Sequence, residues 1–139
     1  MTPTKACPVV FRDPAALSIL VFRHPSAGIQ LIKGSIEPGE LSSDAALREL
    51  REEAGIADAA VCHDLGLWDA EFEGQIWSFQ LCATARTLPE LWSHHCPDDG
   101  GIELHFFWHD TEADPSEDWH PLFRRALEYI LSCIRRNCP

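Results

Sequence analysis

Apolar positions change rhythm several times along the chain, and each change marks an element. Val9 to Arg12 and Ala16 to Arg23 are short apolar stretches divided by Asp13-Pro14, which predicts two strands joined by a turn. Within the second stretch, Leu17-Ser18-Ile19-Leu20-Val21-Phe22 is almost continuously apolar, the pattern of a strand covered on both faces. Pro25 to Gly28 is punctuated as a loop, and Ile29 to Lys33 predicts another short strand. A loop with glycine and proline, Gly34 to Gly39, follows.

Helical spacing then takes over from about Ser43 to Ala54. Ala46, Leu47, Leu50 and Ala54 fall three or four apart and predict the buried stripe. Ser42 or Ser43 is the expected N-cap, Asp44 suits the positive end of the helix dipole, and Gly55 stands where a left-handed C-cap is wanted. Val61 to Phe72 and Ile76 to Thr84 predict two strands around a Glu73-Gly74-Gln75 turn. Thr87 to Gly101 has the composition of a polar loop, and Ile102 to Trp108 that of a further strand. From Asp118 or Trp119 to about Arg136 the spacing is helical again, with Leu122, Leu127, Ile130, Leu131 and Ile134 on one face. The expectation is a single α/β domain over residues 1–139, a mixed β-sheet with a helix on each side.

Composition narrows the function more than the fold. The apolar and charged fractions are ordinary, but the formal net charge is -11. That excludes general nucleic-acid binding, which needs a basic face to displace counterions. An acidic protein handling phosphates must neutralise its own field, and divalent cations are the direct way. No apolar run approaches the ~20 residues of a membrane span. Met1 to Pro8 lacks the apolar core of a signal peptide, so a cytoplasmic location is expected. The six cysteines show no C-x-x-C pair and are expected to be reduced, partly buried thiols.

Candidate chemistry is concentrated between Gly34 and Ile56. Glu49, Glu52 and Glu53 stand at i, i+3 and i+4, so a helix carries them on one face. Three carboxylates this close repel one another unless they are hydrated, paired with Arg48 and Arg51, or bound to a cation. Oxygen-only donors suit magnesium or manganese rather than zinc. A Glu/Arg-rich helix is ordinarily just a solvated face, but the surroundings here are patterned too. Gly34, Glu40, Arg48, Glu49, Leu50, Glu52, Glu53, Gly55 and Ile56 fill all nine fixed positions of G-x5-E-x7-R-E-U-x-E-E-x-G-U, U being aliphatic. The segment resembles the Nudix box of the Nudix hydrolase superfamily, and the strand order around it is similar to that family's α/β/α sandwich.

The resemblance implies a divalent-metal-dependent pyrophosphohydrolase using Mg2+ or Mn2+. Glu49, Glu52 and Glu53 would bind the ions, Glu40 would assist, and the Gly34 carbonyl would be a further ligand. Arg48 is expected to hold a glutamate of the cluster in place. Water would attack phosphorus in a nucleoside diphosphate-X substrate, such as a nucleoside triphosphate or dinucleoside polyphosphate. The base would be Glu53 or Glu52, or a downstream carboxylate among Asp98, Asp99 and Glu103, of which Glu103 is the first choice. Lys33 is a candidate for a substrate phosphate, as are Arg23 and His24 more weakly, and Trp92 is a candidate to stack on a base. The resemblance also admits a homodimer.

Three other readings compete. A non-hydrolytic nucleotide-binding module on the same fold usually loses box glutamates, and all are present here. An isomerase acting on an isoprenoid diphosphate needs further residues in a longer chain. A zinc site at His94-His95-Cys96 lacks a second ligand pair at zinc-finger spacing. Relatives specific for dinucleoside polyphosphates, ADP-ribose or NADH carry a tyrosine or proline-rich signature soon after the box. Here that region reads Glu71-Phe72-Glu73 and the one tyrosine is Tyr129, which leaves the substrate open.

Overall fold

The computed structural model describes residues 1–97 and 100–137, with Asn137 described by its backbone alone. Among these residues, eight strands and two helices follow in the order β1 (Lys5–Val10), β2 (Ser18–His24), β3 (Gly28–Gln30), β4 (Gly34–Ser35), α1 (Ser42–Glu49), β5 (Ala59–Asp69), β6 (Ile76–Thr84), β7 (Trp92–Cys96), β8 (Ile102–Asp110) and α2 (Pro121–Asn137). The expected α/β class holds, but the single mixed sheet is two sheets of four strands, ordered β4-β1-β6-β5 and β3-β2-β8-β7. The division follows from the break at Arg12 to Leu17. On one side of it β1 pairs parallel with β6, and on the other β2 pairs antiparallel with β8.

β1 starts four residues earlier than the sequence suggests, because Pro8 conceals it. Proline cannot donate to a ladder and is normally kept to edges. β4 pairs only with Lys5 and Ala6, so at Pro8 one side of β1 has no partner strand among the described pairings. β2 is covered on both faces as its apolar run predicts. Ile19 and Val21 enter one core cluster with Trp77, Phe79 and the α2 residues Leu122, Phe123 and Ile130. Leu20 and Phe22 enter another with Leu50, Ala54, Ile56 and Phe106.

The box helix has two features that its sequence conceals. Its N-cap is Leu41, with no side-chain cap, and neither Ser42 nor Ser43 takes that part. Its last turn, Leu50–Ala54, is π-helical and wider than an α-turn, a form that recurs at functional sites. Gly55 closes it at φ 73°, and the Ile56 amide reaches back to the Leu50 carbonyl at 3.1 Å. The expected polar loop from Thr87 to Gly101 contains a strand, β7, which pairs antiparallel with β8. The paired segment Trp92-Ser93-His94-His95-Cys96 has half-buried tryptophan and histidine at alternate positions, a period-2 signal obscured by its polar composition.

Among the described residues five cysteines are free thiols, four of them buried. Burial pushes Cys82 up to about 12, so it is inert as a nucleophile. Cys138 lies outside the described residues. Among those residues no helix is long and apolar enough to cross a membrane.

Candidate active site

The site is assembled where β1, β4 and the box helix meet. Pairing of Ala6 with Gly34 and Lys5 with Ser35 brings the glycine loop against the sheet. α1 lies over β1 through a small cluster of Ala6, Ala45 and Ala46, whose lack of bulk lets the helix approach closely. A cavity of about 520 Å³ opens there, lined by Lys5, Lys33, Gly34, Glu49, Glu52 and Glu53 together with Arg48 and Glu37.

Arg48 organises the acidic residues. Its Nε and Nη2 donate to the two Glu40 carboxylate oxygens, each at 2.9 Å. Nη1 donates to Glu49 at 2.8 Å and to Glu52 at 3.3 Å, and Nη2 also reaches the Ser35 carbonyl at 2.8 Å. One guanidinium thus gathers three carboxylates, as a planar fork of donors allows. The resemblance implied a hold on one glutamate; the geometry extends it to three. Glu40 faces Arg48 with both oxygens and does not line the cavity.

Hydrogen bonds from Arg48, and secondarily from the Glu37 amide, hold the Glu40 carboxyl down to about 2, against an ordinary 4.5. Between those values the unfolded chain binds more protons than the folded one, so stability rises with pH there. The contribution is complete above about pH 4.5 and is lost as pH falls through about 2. In metal-free protein Glu40→Gln should therefore flatten the pH dependence of urea-denaturation midpoints across that window. An unaltered slope in the variant would show that the pair does not drive it.

Gly34 fits the site because it has no side chain. A Cβ there would overlap the Glu49 carboxylate, so glycine makes the cradle in which that group sits. Lys33 extends inward, its ammonium 5.1 Å from the Trp77 ring centroid and 5.7 Å from that of Phe123. Burial lowers its pKa, and the nearby charge of Lys5 adds to the effect.

Glu53 also borders a second cavity, of about 220 Å³, with Phe22, His24, Gln30, Cys96 and Leu104. The amides of Ser26 and Ala27 both donate to His24 Nδ1, at 3.0 and 3.1 Å. A neutral His24 therefore carries its proton on Nε2 and is a donor there.

The structure thus brings together Lys33, Gly34, Arg48, Glu49, Glu52 and Glu53. It does not bring Glu103 to them: Glu103 is exposed, on the opposite face of β8 from Ile102 and Leu104, which border the Glu53 cavity. Arg23 is exposed and pairs with Asp118 at 3.5 Å, while its neighbour His24 reaches the Glu53 cavity. Trp92 stacks on Phe106 at 5.2 Å, in a different cavity that includes Arg23. Asp98 and Asp99 lie outside the described residues. Lys5 was not legible beforehand: nothing near it in sequence marks it, and only the β1–β4 pairing delivers it, with Nζ 2.7 Å from Ser35 Oγ. Among the described residues no three histidine, cysteine or carboxylate side chains close on one point. Arg48 instead contacts one oxygen each of Glu49 and Glu52. The donor set itself is all oxygen, which fits a hard divalent cation.

A glutamate-bearing helix set against a two-sheet core, with every fixed box position filled, is the arrangement of a Nudix domain. The chain belongs to the Nudix family, whose NUDIX domain model matches residues 2–122. An ADP-ribose pyrophosphatase of Haemophilus influenzae is 48% identical over 78 residues, a stretch making up 47% of this chain and 36% of that protein. The match thus spans about a third of the relative's length. The crystal structure of an ADP-ribose pyrophosphatase from Streptococcus suis superposes with a TM-score of 0.70 at 16% identity, covering 99% of this chain and 94% of that one. The solution structure of the Escherichia coli ORF135 protein gives 0.67 at 24% identity, covering 97% and 91%. These two likenesses concern the fold.

Proposed function

We propose that the chain is a divalent-metal-dependent pyrophosphohydrolase that cleaves the diphosphate linkage of a nucleoside diphosphate-X compound. The observation that supports this most is the cavity joining Glu49, Glu52 and Glu53 to Lys5 and Lys33, donors for a cation beside donors for a phosphate. Glu49, Glu52 and Glu53 would hold Mg2+ or Mn2+, with the Gly34 carbonyl as a further ligand and Glu40 acting through Arg48. Such an ion, when bound, neutralises phosphate charge and lowers the pKa of a water.

The chain's own residues do the rest. Lys33, fixed against Trp77 and Phe123, presents a positive charge to a substrate phosphate. Arg48 keeps the glutamates from spreading apart under mutual repulsion. Glu53 borders both cavities, which supports it as the group that takes a proton from water between the phosphates and the X group. Its placement favours it as base over Glu103. The smaller cavity offers the X group apolar walls, the His24 Nε2–H donor and the Gln30 amide.

ADP-ribose is the first substrate to try, because half the chain is similar to an enzyme of that name. A phosphatase-coupled panel of ADP-ribose, NADH, nucleotide sugars, nucleoside triphosphates and dinucleoside polyphosphates should show turnover that disappears with EDTA and returns with Mg2+ or Mn2+. Absence of turnover on every compound, with nucleotide binding retained, would instead establish a binding module.

A further inference from the structure

Trp92 is available in sequence as a surface on which a base could stack, but its contacts indicate a different task. Its indole N–H donates to the Ala54 carbonyl at 3.0 Å, across 38 positions of sequence. Ala54 ends the π-turn that carries Glu52 and Glu53, and it is buried. The last carbonyls of a helix have no partner within it, and a buried one needs a donor from elsewhere. The Gly55 amide serves Arg51 at 3.2 Å and the Ile56 amide serves Leu50 at 3.1 Å. Trp92 serves Ala54.

The donor is itself fixed. The indole stacks on Phe106 with an interplanar angle of 11° and meets Trp108 at 60°. Two residues on, and so on the same face of β7, His94 presses on Gly55, where an added Cβ would lie 2.8 Å from its Nδ1. β7 thus grips both residues that follow Glu53. The cavity Trp92 borders contains Arg23, Ser93 and His105 but no box residue.

We infer that Trp92, assisted by His94, is a positioning residue for Glu53, acting through the backbone of Ala54 and Gly55, and is not a base-stacking platform. The inference rests on the hydrolytic reading above, and its test separates the two. Trp92→Phe keeps a ring on Phe106 and removes the donor together with part of the indole's bulk. Trp108→Phe is the matched control: it removes an indole bond of the same length, 3.0 Å to the Pro89 carbonyl, in the same aromatic cluster. Trp92→Phe should lower kcat about tenfold, as loss of one hydrogen bond's worth of alignment implies. It should also raise the half-saturating Mg2+ concentration while leaving KM for substrate nearly unchanged, and Trp108→Phe should do neither. A rise in KM with kcat intact would mean base stacking, and equal kcat losses in both variants would mean a general packing effect; either overturns the inference. Hydrogen exchange supplies a readout independent of turnover. The amides of Gly55 and Ile56 should exchange faster in Trp92→Phe than in Trp108→Phe, and in His94→Ala to a smaller extent. Unchanged exchange removes the clamp even if the wild-type chain turns over every substrate, whereas inactivity of the wild type removes only the hydrolytic reading.

Discussion

Glu53→Gln is expected to reduce turnover roughly 100- to 10,000-fold, the range over which a positioned proton acceptor contributes, while thermal stability stays near that of the wild type. The amide has the shape of the carboxylate but neither its charge nor its basicity. Glu53 borders both cavities, so its loss reaches the proposed phosphate and X sites together. Glu52→Gln should be the milder of the two at the base step, because Glu52 borders only the larger cavity. The comparison uses kcat at saturating metal with melting temperature as control. Turnover of Glu53→Gln within tenfold of wild type would take Glu53 out of the base role. Glu103→Gln, made alongside, should leave kcat unchanged.

Arg48→Ala should be the most destabilising change among the charged residues of the box. Arg48 and Glu40 are each 16% exposed at the side chain, and Glu49 is 10% exposed. Removing the guanidinium leaves these carboxylates close together without their shared donor, in a chain already at net charge -11. Because solvent reaches part of this network, removing the shared donor should cost about 2 kcal/mol rather than the larger cost of breaking a fully buried pair. Arg48→Lys should recover little, since one ammonium cannot span Glu40, Glu49 and the Ser35 carbonyl together. Urea denaturation in EDTA would measure the loss. Divalent cation should stabilise the wild type by mass action, and Arg48→Ala less, because the donors are no longer held together. A loss below 1 kcal/mol would mean the carboxylates relax into solvent and that Arg48 is not their organiser.

The box was legible because its chemistry is local. Helical spacing places Glu49, Glu52 and Glu53 on one face, and Gly55 reads as a left-handed cap from its residue type alone. The strands with clear apolar runs, β2 and β6, were legible for the same reason. What escaped depends on partners distant in sequence. β1 conceals its extent behind Pro8, tolerated where β4 has already ended. β7 is polar in composition because one of its faces meets solvent, and its role depends on Ala54, which no periodicity reveals. The π-turn has no sequence mark, since one widened turn alters the spacing too little to detect. Lys5 enters the site through strand pairing, and Glu103 falls away from it through strand alternation.

The parallel partnership of β1 with β6 has a consequence for how the chain acquires its shape. The Thr4 amide donates to the Ile76 carbonyl, 72 positions away, so β1 can be seated only once β6 has been made. Contacts this distant require the intervening chain to be closed first, which slows folding. On the ribosome, Lys5 to Val10 must wait with apolar side chains uncovered until β6 has emerged. The segment that supplies Lys5 to the cavity of the box glutamates is thus exposed to misassociation during synthesis.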